Sequence, residues 1–294
     1  MGDLRAEAVA WIHTHRAQVS VFGVSPSEQW SAEASTPRVL ASAQKVLVFA
    51  AVVEAQRQWP EVLSSDVPYE QVQQHYFPRT DGGAHEKALL TDGVPLTGPA
   101  SGTVSVSRLL AYALHHSSNA ASDALADLVA GGTGAARTSS LPPRLSEQFR
   151  SAYQDEGGDW LHMNQAPSPA AAASGWRTYS APLPVLVEAM SYVVEQGAQA
   201  LRYLPRISVY GASSARGKVG MLPGHRAGVL VRTDEGGQPV IGAYAFSNLP
   251  TSADDQALAD AVEFVLRAAA ARTVTAPFVN YEPKKGTTRA TATF

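Results

Sequence analysis

An α+β fold, with an antiparallel sheet built from both termini, flanked by helices, and an all-helical lobe inserted between its halves, is what this chain's order of hydrophobic patterns predicts. Strand-like runs occupy 17–24 and 29–35, then recur only after residue 207, as "GKVGML" (217–222), "RAGVLVR" (226–232) and "PVIGAYAFSN" (239–248). Between them, residues 59–205 carry helical periodicity and Pro/Gly/Ser-rich loops. The predicted division is therefore a sheet lobe of 1–58 and 206–272, a helical lobe of 59–205, and a tail of 273–294 without periodicity.

The elements follow in order. Residues 4–16 have helical character, and the turn-forming "SPSE" (25–28) joins the first two strands. Residues 42–58 are apolar almost all round at Val46, Leu47, Phe49, Ala50, Val52 and Val53, which predicts a helix buried in the middle of the protein. Helices are expected at 105–115, 119–129 and 183–196. The late strands are joined in part by "TDEGGQ" (233–238), and a terminal helix spans 252–272.

Composition removes several classes of function. With 294 residues, 45% hydrophobic and 17% charged, the chain can bury a core without staples. A net charge of −3, with no Lys/Arg-rich run, speaks against a nucleic-acid partner. The absence of cysteine excludes disulfides, thiolate metal sites and a Cys nucleophile. No run of about 18 apolar residues is present to span a membrane, and the N-terminus lacks a basic segment followed by an apolar stretch, so a cytoplasmic location is expected unless a leader has been trimmed. "HTH" (13–15) and His115–His116 have no carboxylates at metal-ligand spacing and are read as surface or packing histidines; no metal or organic cofactor is expected. There is no G-x-S-x-G elbow, phosphate-binding G-x-x-x-x-G-K-[ST] loop or H-E-x-x-H helix.

Three short stretches carry chemistry. "ASAQKVLVF" (41–49) sets Ser42 one helical turn ahead of Lys45 at the mouth of the apolar helix. Lysine is sparse, five residues against eighteen arginines, and an ammonium in an apolar helix either snorkels to water or gives up its proton and becomes a base. "HHSSNAASDAL" (115–125) places Ser117 and Asn119 just before a helix, where either residue also suits an N-cap. "ARGKVGML" (215–222) places Lys218 and Gly220 on a strand.

In this order, on helix, loop and strand, the three resemble the S-x-x-K, S-x-N and K-[T/S]-G elements of the serine β-lactamase and penicillin-binding-protein superfamily, over roughly residues 17–270. The resemblance implies that Ser42 is an acylated nucleophile with Lys45 as its general base, and that Ser117 and Lys218 pass a proton to the leaving group. It further implies that Asn119 orients Lys45 or the substrate amide and that the backbone N–H groups of Ser42 and Met221 hold the oxyanion. The chain departs from the pattern twice. Val219 stands where the family has a hydroxyl that binds a substrate carboxylate, leaving Arg226, at the start of the next strand, as a candidate replacement. In "LPPRLSEQFRSAYQDEGGDWLHMN" (141–164), Glu147, Asp155, Glu156 and Asp159 all lack the asparagine four residues on that accompanies the deacylating glutamate of class A β-lactamases.

The expected function is a serine hydrolase acting through a Ser42 acyl-enzyme on a small-molecule or peptide-like ester, amide or thioester, with no nucleic-acid or membrane partner. Three alternatives stand beside it: a β-lactamase or D-Ala-D-Ala carboxypeptidase, an acyltransferase, and a binding protein that keeps the fold without turnover.

Overall fold

The structure, a computed structural model, describes residues 10–78, 80–94, 101–130, 180–209, 215–222, 224–248 and 256–272. A helical turn at 10–14 leads into β1 (Val19–Val24) and β2 (Gln29–Ala32), joined by a turn in which Ser25 N donates to Glu28 O at 2.8 Å. A short β3 (Arg38–Val39) and a 3-10 turn (Ala41–Gln44) precede α1 (Lys45–Gln58). The central block contains β4 (Asp66–Pro68), α2 (Tyr69–Gln73), α3 (Ala84–Thr91), β5 (Thr103–Ser105), α4 (Val106–Ala111), a π-helical turn (Tyr112–His116) and α5 (Asn119–Ala130). Then come β6 (Ser180–Ala181), α6 (Leu183–Glu195), α7 (Ala198–Leu201), β7 (Arg206–Ile207), β8 (Ala215–Leu222), β9 (His225–Thr233), β10 (Pro239–Phe246) and α8 (Gln256–Ala270).

The principal sheet has six strands in the order β2-β1-β10-β9-β8-β7, every neighbouring pair antiparallel, so strands from the two ends of the chain meet where β1 pairs with β10. Its strands are apolar almost continuously because both faces are covered. Along β10, Val240, Tyr244 and Phe246 point to one face with Val19, Val21 and Leu230, beneath Val262, Val265 and Leu266 of α8. The alternate residues Ile241, Ala243 and Ala245 point to the other face with Val229, Val231 and Phe22, where α6 packs. Gly242 lies on the α8 face; a Cβ there would fall 1.9 Å from Ala270 O, so the C-terminal end of that helix rests directly on the strand.

α1 is the inner pillar. All residues from Lys45 to Val53 are buried, and the helix packs between α5 and α6 while the 3-10 turn before it abuts β8 and β9. Each fully buried Val, Leu or Phe side chain contributes about 1.5–3 kcal/mol, enough in sum to hold a costly polar residue at the end of the helix.

This is the α+β architecture that the sequence patterns predict, except that the block expected to be all-helical carries the short strands β4, β5 and β6, too brief to show an alternating pattern. Two expected helices also differ in detail. The helix expected over 105–115 is α4 followed by a π turn, in which Ser117 N donates to Tyr112 O five residues back and so widens the last turn before the loop. The terminal helix, expected from 252, is described as Gln256–Ala270. The segment containing Glu147, Asp155, Glu156 and Asp159 and the tail 273–294 lie outside the described residues. Among the described residues no helix is long and apolar enough to cross a membrane.

Candidate active site

The backbone around Ser42 is bent before it becomes helical. Ala41 takes φ 46°, a left-handed conformation disfavoured for a residue with a Cβ, and the chain then passes through the 3-10 turn into α1. The bend presents Ser42 at the mouth of the helix, with Lys45 as its first α-helical residue. Lys45 Nζ lies 2.9 Å from Ser42 Oγ and donates to Asn119 Oδ1 at 2.6 Å. The residue is 1% exposed, so the snorkelling alternative does not describe it. Loss of hydration lowers its pKa to about 8, against the opposing pull of the Asp123 and Asp81 carboxylates. The positive end of α1 acts in the same direction as burial, disfavouring an ammonium on the first turn.

A second arm faces this pair. Lys218, buried on β8, donates to Ser117 Oγ at 2.9 Å and to Val219 O at 3.2 Å. Burial, and then the charge of Lys45, pushes Lys218 well below the ordinary lysine pKa, so two ammonium groups are disfavoured together in this cleft. Ser117 has φ 72°, also left-handed, at the corner between the π turn and α5. The N-cap of α5 is Ser118, whose Oγ accepts from Ala121 N at 3.0 Å. Ser117 and Asn119, on either side of it, turn to the two lysines instead. Asn119 is anchored at both ends: its backbone N donates to Asp81 Oδ2 at 3.0 Å and its Nδ2 to Thr80 O at 3.4 Å.

Gly220 closes the third side. A Cβ at this position would stand 2.4 Å from Ser42 N, 2.6 Å from Ala43 N and 2.7 Å from Leu40 O, so β8 runs against the backbone of the nucleophile turn at a distance only glycine permits. Among the described residues β7 pairs with β8 at Ala215 and Arg216. The remainder of β8, with Lys218, Gly220 and Met221, borders the turn that carries Ser42.

The structure thus brings Ser42, Lys45, Ser117, Asn119, Lys218 and Gly220 into one cluster. It does not bring the side chains of Val219, Met221 and Arg226 to it. Val219 packs with the apolar residues beneath α8, and Met221, next to Gly220 on β8, is 60% exposed. Arg226 lies opposite Met221 on β9, with its Nε 3.6 Å from Glu263 Oε2 on α8. As a replacement carboxylate clamp, Arg226 is therefore corrected by placement: Glu263 already takes its charge on the other side of the sheet. His13 and His115 are exposed, and among the described residues no group of three or more His, Asp or Glu is gathered that could hold a metal.

Sequence reasoning missed Asp81, His85, Ser118 and Asp123. Asp123 was within reach of it, since it follows Asn119 by four residues on α5 and so shares its face. Asp81 and His85 come from loop and helix about 35 residues before the S-x-N stretch, and no periodicity links them to it.

No protein-family profile and no curated protein matches the sequence. Solved structures do match its fold. A β-lactamase from Burkholderia ambifaria superposes with a TM-score of 0.62 over 92% of this chain and 99% of its own, at 18% identity. A β-lactamase from Sphaerobacter thermophilus DSM 20745 gives 0.58 over 92% and 96%, at 19% identity. A class A β-lactamase from Mycobacterium abscessus gives 0.58 over 90% and 98%, at 16% identity. Across nearly its whole length, this chain has the fold of the serine β-lactamases.

Proposed function

We propose that the protein is a serine hydrolase that works through an acyl-enzyme on Ser42. The observation that carries this reading is the contact of a fully buried lysine, its pKa lowered to about 8, with a serine hydroxyl 2.9 Å away. The neutral Lys45 amine takes the Ser42 proton as Oγ bonds to the carbonyl carbon of an ester, amide or thioester. The negative charge that develops on the carbonyl oxygen is assigned to the backbone N–H groups of Ser42 and Met221, a role supported by the close approach of Gly220, the residue before Met221, to Ser42 N.

The new charge on Lys45 then favours proton loss from the Lys218–Ser117 arm, because the two lysines oppose each other's charge. Ser117 Oγ delivers that proton to the leaving oxygen, nitrogen or sulfur, and the C–X bond breaks to leave acylated Ser42. Water then releases the acid. An amine or alcohol in place of water would give acyl transfer from the same intermediate.

A substrate without a carboxylate beside the scissile bond suits the site, since Val219 and Arg226 both turn to α8. β-Lactam hydrolysis is the second reading, favoured by the fold shared with proteins described as β-lactamases. Initial rates on short-chain nitrophenyl esters and on nitrocefin, for wild type and Ser42→Ala, test the two together. Ester turnover lost in Ser42→Ala supports the proposal, and nitrocefin turnover without ester turnover supports the second reading. Ester turnover unchanged in Ser42→Ala defeats both.

A further inference from the structure

The loop carrying Ser117 and Asn119 is held from below by a group outside the reacting cluster. Ser118, the middle residue of that loop, is fully buried, and its Oγ lies 2.9 Å from Nδ1 of His85, which is itself fully buried on α3. Ser118 Oγ also accepts the Ala121 N–H at 3.0 Å. Nε2 of the ring faces the side-chain amide of Gln73 on α2 at 3.5 Å. Because the Gln73 atom that meets Nε2 is its amide nitrogen, a donor, Nε2 of the neutral ring accepts and Nδ1 carries the proton, which it gives to the second lone pair of Ser118 Oγ.

We infer that His85 is a positioning residue: through its hydrogen bond with Ser118 it fixes the strained corner that aims Ser117 at Lys218 and Asn119 at Lys45. This rests on the hydrolase reading and deepens it. Three facts support the assignment. Ser117 sits in a left-handed conformation that a β-carbon opposes, so its neighbours must hold it there. The links on either side of Ser118 run directly into the two arms, at 2.9 Å for Lys218–Ser117 and 2.6 Å for Lys45–Asn119.

The third fact is charge. Burial lowers the pKa of His85, in opposition to Asp81 from the adjoining loop and Glu86 from its own helix. Tyr76, whose ring lies 5.0 Å from that of His85, gives its hydroxyl to Glu86, while Gln73 and Ser118 face the ring uncharged. A neutral ring keeps Nε2 as an acceptor for the Gln73 amide while Nδ1–H holds Ser118. A protonated one would set a second N–H against the Gln73 NH2 and loosen the ring's footing.

The test compares His85→Leu, His85→Asn, Ser118→Ala and the double variant His85→Leu/Ser118→Ala for ester turnover, with melting temperatures recorded for each. Misaiming the two arms is expected to lower kcat by about 10–100-fold in His85→Leu while KM stays nearly constant. His85→Asn, whose side-chain amide can donate to Ser118 Oγ as Nδ1–H does, should recover most of the loss. The double variant should be no worse than the poorer single one, since both remove the same link. The inference is overturned if His85→Leu keeps the wild-type kcat, if Asn is as poor as Leu, or if the single losses multiply. Should His85→Leu not fold, near-normal kcat in His85→Asn beside a tenfold or so loss in Ser118→Ala upholds it, and equal values overturn it. Wild-type protein without Ser42-dependent turnover would instead defeat the hydrolase reading itself.

Discussion

At Lys45 two electrostatic effects compete, and their balance decides the chemistry. Asp81 and Asp123 attract the ammonium, yet removal from water outweighs them and the pKa falls to about 8. A base must be neutral to accept a proton, so the acylation rate is expected to rise with pH through about 8; a rate flat from pH 6 to 10 would contradict the role given to Lys45. The same shift acts on stability. Between about 8 and the ordinary 10.5 the unfolded chain binds the proton that the native protein has lost, so unfolding free energy should increase with pH across that window. Denaturant melts of wild type and Lys45→Met over that range measure it, with the rise smaller in the variant. The stretch around Lys45 alone left it open between snorkelling and catalysis, because exposure is a property of packing; Asn119 of α5 reaches it from more than 70 positions away, and only the later motifs pointed to a base.

Elements turn these residues into a site. α1, the β8–β10 strands and α5 were legible because their apolar patterns are long and end in Gly, Pro or polar breaks. The two-residue ladder between β3 and β6 was not, since Arg38 pairs with Ala181 across the whole helical block and nothing local signals it. Strand parity explains why Gly220 faces the nucleophile turn and Lys218 the Ser117 corner while Val219 packs under α8; sequence showed the alternation but not which face would hold Ser42. Gly220 is the contact between strand and nucleophile turn. Gly220→Ala must push them apart to relieve a 2.4 Å approach, and a cost of about 1–3 kcal/mol in stability is expected together with a loss of Ser42 acylation. An alanine variant with wild-type acylation kinetics would show that this close approach does not shape the site.

Across the whole molecule, α8 is tied to the far side of the sheet, remote in contact from the reacting groups. Trp30 Nε1 donates to Ala269 O at 3.1 Å, Arg232 Nε to Ala271 O at 2.6 Å, and Tyr244 gives its hydroxyl to Glu263 Oε1 at 2.6 Å. Trp30→Ala removes a buried ring and one of these ties, so it should lower stability by about 3–5 kcal/mol while the folded fraction retains its Ser42 reactivity. Equal losses in stability and in reactivity per folded molecule would mean that the outer layer governs the site. The claim that joins all three scales is that Ser42 is an activated nucleophile, made so by Lys45 and aimed by the surrounding fold. Intact-mass measurement after incubation with a fluorophosphonate tests it most directly. One covalent adduct on the native wild-type protein, absent from Ser42→Ala and strongly reduced in a folded Lys45→Met, is the predicted result; no adduct on the native protein, or one that persists in Ser42→Ala, would contradict it.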